Sequence, residues 1–215
     1  MNIVQADFSC VGNVAKHCDN TKLCVAIDES KIFDVAPLFC DFWQDIVDID
    51  SEIEAYRLAL KTYEECLEDD GEECIEPEKP ENYELKVNLI YGGNFEVCNN
   101  KVREHFGVKR IWVYYAYSRY LLINEFNDTP NGQVSKTNTF SIPKDAKEVR
   151  NFADKYRNMG YDTYKMTLNF LCANRDVFDW FTSKDCGSCK CGGDCNNQTK
   201  AKGYGFKGKI ITKRI

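Results

Sequence analysis

The sequence predicts a mainly α-helical protein: a helical bundle made of a helical hairpin and two long helices, with a long inserted loop and an extended basic C-terminal arm. Three observations carry this. Apolar residues recur at spacings of three and four over residues 32–67, 108–126 and 144–171, the period of a helix with one buried face. Polar stretches rich in turn-forming residues separate these runs. The 215 residues, 43% of them apolar, suffice for one sizeable core or two small ones. The expected division is a helical domain over residues 1–181, containing an acidic loop at 64–81, followed by a Cys-rich loop and basic arm over 182–215.

Taken in order, residues 1–30 are mixed and short in period, with no clear helix. Their start, "MNIVQADFSC", has no basic region followed by an apolar core, so it does not read as a secretion leader. No apolar run approaches the roughly 20 residues needed to cross a bilayer. The expectation is a protein made and kept in a cytoplasm, with no membrane partner. A helical stripe then begins: Ile32, Val35, Phe39, Phe42, Trp43 and Ile46 share a face. Asp34 suits an N-cap and Pro37 a first turn. Ser51-Glu52-Ile53-Glu54 reads as a capping box that opens a second helix, striped by Ile53, Tyr56, Leu60, Tyr63 and Leu67. The two together predict a helical hairpin.

"EECLEDDGEECIEPEKPE", from Glu64 to Glu81, holds ten acids and one base, with Gly71, Pro77 and Pro80. It repels itself and cannot bury a core, so it predicts a helix end running into an exposed loop. Its spacing matches no EF-hand loop. "NLIYGGNFEV" predicts a turn or short hairpin around Gly92-Gly93. Residues 108–126 predict a helix so apolar all round that it must be central to a bundle or buried between subunits. "NDTPNGQVSKTNTFSIP", residues 127–143, is turn-rich, partly β-prone and too long for an ordinary connection. Lys144 opens the last helix, which runs toward "RDVFDWF" with a kink expected at Gly160. The C-terminal "NNQTKAKGYGFKGKIITKRI" has six bases, no acids and three glycines. "KIITKRI" suits a strand but has no partner in the tail, so the segment reads as an arm that orders on a neighbour.

The net charge of −6 conceals a polarity. Residues 1–100 carry 23 acids and seven bases, against 11 and 21 in residues 101–215. Such a molecule can stack head to tail on copies of itself or on oppositely charged partners. The alternative, two solvated charge sets without a specific task, stays open. Twelve cysteines are many for this length. Eight stand singly, often on apolar faces (Cys24, Cys40, Cys172), and without a secretion leader they read as reduced, mostly buried thiols.

The other four form "DCGSCKCGGDC": Cys186, Cys189, Cys191 and Cys195. Four thiolates can bind one zinc tetrahedrally, and Gly187, Gly192 and Gly193 allow a tight wrap. The spacing is compressed relative to a zinc ribbon and matches neither common ferredoxin pattern. A structural zinc, a reduced loop and disulfides therefore stay open. A closed four-thiolate site has no open position for substrate, so its role would be to staple the basic arm to the last helix. Other chemistry is sparse. The two histidines, His17 and His105, stand in no catalytic or metal-binding spacing. There is no P-loop, no dinucleotide fingerprint and no nucleophile elbow. A catalytic reading has little to rest on, and no catalytic residue is expected.

"FDVAPLFCDFWQDIVD", "YELKVNLIYGG", "VKRIWVYYAYSRYLLINEF", "TPNGQVSKTNTFSIP" and "LNFLCANRDVFDWF" follow one another in an order that resembles head–tail connector (adaptor) proteins of tailed phages, most like those of crAss-like phages. The resemblance covers roughly two thirds of the chain and rests on the order of elements, the loop from Thr129 to Lys136 being its most telling piece. It implies a helical wedge, with about twelve copies closing a ring below the portal. It implies no active site. The implied partners are further copies of the chain, the portal protein, adjacent tail or ring proteins, and genomic DNA passing without sequence-specific contact. The implied location is the head–tail junction of the virion, after assembly in the host cytoplasm. On this reading Thr129, Asn131, Gly132, Val134 and Lys136, with Lys207, Lys209, Lys213 and Arg214 of the arm, contact neighbouring subunits or partners. Glu68, Asp69, Asp70, Glu72 and Glu73 face the channel and keep DNA from sticking by like-charge repulsion. The acidic loop and the Cys-rich end depart from the family's pattern and leave the position in the ring open. A competing expectation is a nucleic-acid-binding module that uses the Cys cluster and basic arm. The acidic total argues against a broad DNA footprint.

Overall fold

Helices dominate the computed structural model, which describes residues 1–11, 20–68, 74–97, 101–129, 132–135 and 145–181. A 3₁₀ turn (Gln5–Cys10) precedes α1 (Asn20–Ser30), which passes through a π-helical turn (Lys31–Val35) into the short α2 (Ala36–Phe39). A 3₁₀ turn, Cys40–Phe42, leads into α3 (Trp43–Glu68), followed by α4 (Tyr83–Tyr91). Strands β1 (Gly93–Val97) and β2 (Lys101–His105) come next, then α5 (Gly107–Glu125), β3 (Phe126–Thr129), β4 (Gly132–Ser135) and α6 (Ala146–Ala173). The mainly α architecture with an insertion between two long helices is as the periodicity predicts.

The expectation for α5 holds. Val108, Ile111 and Ala116 are fully buried, Trp112 and Val113 nearly so, and Tyr114, Tyr115 and Tyr120 are buried on other faces. α1 and α6 pack on it from different sides, and α4 adds a third contact. α6 presents Val149, Ala153, Gly160, Thr163, Thr167 and Phe170, a row at spacings of three, four and seven that defines one helical face. Its buried hydroxyls are satisfied within the helix: Thr163 donates to the Met159 carbonyl at 2.8 Å and Thr167 to that of Thr163 at 3.2 Å. Asp145 caps the helix, accepting from the Lys147 amide. Gly160, expected as a kink, marks close approach: a Cβ there would stand 2.8 Å from the Tyr115 ring.

The N-terminal half needs corrections. Residues 20–30, expected to lack a clear helix, form α1, which buries Leu23, Ala26 and Ile27. The weak sequence pattern reflects a single apolar run, Leu23 to Ile27, that shows no helical period, and its buried members suffice only because α5 supplies the opposing surface. The capping box at Ser51 does not open a helix. α3 runs unbroken through it, and Ser51 bonds back to the Val47 carbonyl at 2.9 Å. The helical path breaks earlier, at Cys40, whose φ is 48°. α4 occupies residues expected only as the approach to a turn.

A hairpin is present, but not one that turns at Gly92-Gly93: these glycines lead into its first strand, and its connection falls between Val97 and Lys101. β1 pairs antiparallel with β2, from Gly93 opposite His105 to Val97 opposite Lys101. Its root is a backbone-on-backbone contact between Gly92 (φ 92°) and Gly107 (φ 72°). A Cβ on Gly92 would come within 2.6 Å of the Phe106 carbonyl carbon, so both the angle and the space demand glycine. The hairpin lays Phe95 and His105 against Phe170 of α6. After α6, turns over residues 174–181 fold Phe178 and Phe181 into the core, where Phe42 meets the rings of Trp180 and Phe181.

Candidate functional site

Two charged clusters organise the surface. Asp34 belongs to the π-helical turn and is not the cap that its sequence context suggested; it is buried, at 8% exposure. Arg119 of α5 donates to it through Nε and reaches Glu29 at 3.1 Å, while Arg157 of α6 approaches the other Asp34 oxygen at 3.7 Å. The hydrogen bond to Asp34 holds the Arg119 guanidinium more basic than usual, against the opposing effect of burial. Beside it, Trp112 donates its indole N–H to the Ile27 carbonyl and to the Ser30 hydroxyl, both at 3.0 Å. α1, α5 and α6 are thus tied together at the π turn, with Phe33 left 63% exposed beneath Arg119.

The second cluster joins α3, α4 and α5. The Tyr91 hydroxyl donates to Glu54 at 2.7 Å and accepts from Arg57 at 2.7 Å and Lys109 at 3.0 Å. Lys109 also stands 3.7 Å from buried Asp50. Burial, then the hydrogen bond to Glu54, push the Tyr91 phenol up; the same bond pulls the Glu54 carboxyl down. The phenol therefore stays neutral and Glu54 ionised, which makes a fixed staple and not a proton relay.

Beyond Ile53, every residue of α3 is half-buried or exposed. Here a disulfide between Cys66 and Cys74 closes the acidic run. It overturns the expectation of reduced thiols at these positions. Cys172 is buried but also disulfide-bonded, while Cys10, Cys24 and Cys40 are free and exposed, not buried. The signal for the bridge is two cysteines that flank one acidic run, a pattern that the reading of scattered single cysteines as reduced thiols set aside. The bridge seats the chain after the loop against α3 and forms a groove of about 530 Å³, lined by Ala55, Leu58, Ala59, Tyr63, Ile75 and Pro77. Leu58 is 68% exposed and Ile75 87%.

Of the expected channel-facing acids, Glu68 is the exposed last residue of α3; Asp69, Asp70, Glu72 and Glu73 lie outside the described residues. Of the expected contact loop, Thr129, Gly132 and Val134 fall on a β-hairpin, with Thr129 opposite Gly132 and Asn127 opposite Val134. Asn131 and Lys136 lie outside the described residues, as do Lys207, Lys209, Lys213, Arg214 and the four clustered cysteines Cys186, Cys189, Cys191 and Cys195. Among the described residues, no three His, Cys, Asp or Glu side chains converge to hold a metal ion. No described helix is long and apolar enough to cross a membrane.

Among the described residues, fold and surface define a class: an α-helical bundle protein with two small β-hairpins, pinned by ion pairs on buried Asp34 and Asp50 and bearing an acidic run closed by a disulfide. The chain belongs to the family of unknown function DUF6712, which matches residues 61–190, from the outer half of α3 through the first two clustered cysteines. No curated protein and no solved structure matches it.

Proposed function

We propose that this chain is a structural virion protein, a subunit of a head–tail connector or adaptor ring between portal and tail, through which DNA passes. The observation that carries the reading is the order of elements. A buried central helix (α5) is followed at once by the strand pair β3 and β4, then by a second long helix (α6), in the order that the connector resemblance implies. Further support comes from apolar surface that a monomer leaves in water: Ile32, Phe33, Leu58 and Ile75 are each more than 60% exposed. The charge polarity suits stacked, dissimilar neighbours. On this reading the acidic turn lines the channel and the basic arm docks on a portal or adjacent ring. Any zinc held by Cys186, Cys189, Cys191 and Cys195 serves architecture. No catalytic role is assigned.

The test is the native mass of the purified protein, alone and mixed with portal, with and without chelator. A closed ring of about a dozen copies, alone or on the portal, is the expected result. A monomer in both states that binds DNA in a salt-sensitive way would replace this reading with a nucleic-acid-binding module. Loss of one bound zinc per chain on chelation would place the metal.

A further inference from the structure

The groove on the outer half of α3 is an apolar surface set in a strongly acidic segment. Its floor is Leu58, Ala59, Tyr63 and Ile75. Glu65 flanks it on α3, Glu64 and Glu68 turn to the far side of that helix, and Glu76 and Glu78 alternate with Ile75 and Pro77 along the returning chain. The two nearby lysines are engaged: Lys61 pairs with Glu65 at 3.6 Å and Lys79 with Glu84 at 2.7 Å. A ligand for this surface needs branched apolar side chains flanked by cations. The chain carries such a segment at its own end, "KGKIITKRI", in which Lys207, Lys209, Lys213 and Arg214 flank Ile210 and Ile211. The residues beyond Phe181 number 34, a length that extends to about 110 Å, so the segment can reach this groove on its own or an adjoining chain.

We infer that the C-terminal segment 207–215 docks in the α3 groove, with Ile210 and Ile211 covering Leu58 and Ile75 and the four cations meeting the acidic rim. The Cys66–Cys74 bridge holds the two walls of the groove together. Apolar burial supplies the attraction, and the charges select the register and exclude acidic competitors. The inference does not depend on the ring, since the same segment and groove meet within one chain or between two; it assigns residues 207–215 to the α3 groove in place of the portal contact given to the arm above.

A photoreactive benzoylphenylalanine at Leu58 of the full-length protein tests it, read by mass spectrometry of the crosslinked peptides. Leu58 is exposed, so the substitution leaves the core untouched. The expected result is a crosslink to the peptide Ile210–Lys213, lost when Lys207, Lys209, Lys213 and Arg214 are all changed to Glu. A crosslink to another region, none at all, or one that survives the charge reversal undiminished overturns the proposal. Native mass measured on the same samples separates this from the ring: a monomer with the crosslink keeps the docking, and a ring without it rejects the docking alone.

Discussion

His105 stacks on Phe170 with ring centroids 4.2 Å apart and meets Phe95 edge-on at 5.6 Å. It is 1% exposed, and neither ring nitrogen has a hydrogen-bond partner among the described residues. Burial pushes its pKa from about 6.5 down to about 4. Between those values the unfolded chain binds the proton and the folded chain does not, so stability falls as pH drops through the window. The loss approaches about 3 kcal/mol near pH 4. His105→Phe keeps the stack and removes the titration; urea midpoints at about pH 4.5 and about pH 7 should then converge relative to wild type. A wild-type slope that persists in the variant would assign the dependence elsewhere. Asp34 gives a second prediction, of asymmetry. Removing Arg119 leaves a buried carboxylate with Arg157 as its distant partner, whereas removing Asp34 leaves an arginine that can turn to solvent. Arg119→Ala should cost about 3 kcal/mol and Asp34→Ala about 1 kcal/mol in chemical denaturation. Equal costs would mean that the pair contributes only packing.

At the scale of elements, α5 and α6 meet where Gly160 faces the Tyr115 ring. Helix propensity alone predicts that Gly160→Ala stabilises by about 1 kcal/mol. The added Cβ must instead displace an aromatic ring held in the core, which costs about 1–3 kcal/mol. The net change should be destabilising, seen as a lower thermal midpoint, and a raised midpoint would show that Tyr115 yields freely. The same crossing explains why the kink expectation was reasonable and incomplete. A glycine in a helical pattern announces an exception, but whether the exception is a bend or a close neighbour is a property of the neighbour. α3 teaches the converse. Ser51-Glu52-Ile53-Glu54 has the letters of a capping box, yet Ile46, Ile49 and Ile53 continue one buried face across it. Continuity of burial outweighs a local cap.

For the whole molecule, the connector reading places the acidic turn toward passing DNA. Changing Glu68, Asp69, Asp70, Glu72 and Glu73 to Lys together should then impair DNA packaging or ejection in a virion carrying the variant, because attraction replaces repulsion along the channel. Unchanged passage would remove the luminal placement while leaving the ring intact. The charge polarity behind this prediction is a property of sequence alone. Which surfaces it decorates follows from the fold: the described part of the acidic run, residues 64–68 and 74–81, lies on the last turn of α3 and on the chain leading to α4.

Periodicity by itself determined the mainly helical class, the limits of α5 to within a residue or two and the extent of α6. These are readable because each long helix carries its own buried face, and a face repeats in sequence. The tertiary structure alone decided the rest. α1 is a helix because α5 offers it a surface. The π turn exists where Trp112 and Ser30 meet the Ile27 carbonyl and Arg119 reaches Asp34. Cys66 and Cys74 pair because the chain returns along α3, and the apolar groove between them has no signature in either segment taken separately. Such features depend on residues brought together across long or folded-back stretches of chain, and neither periodicity nor composition encodes that meeting.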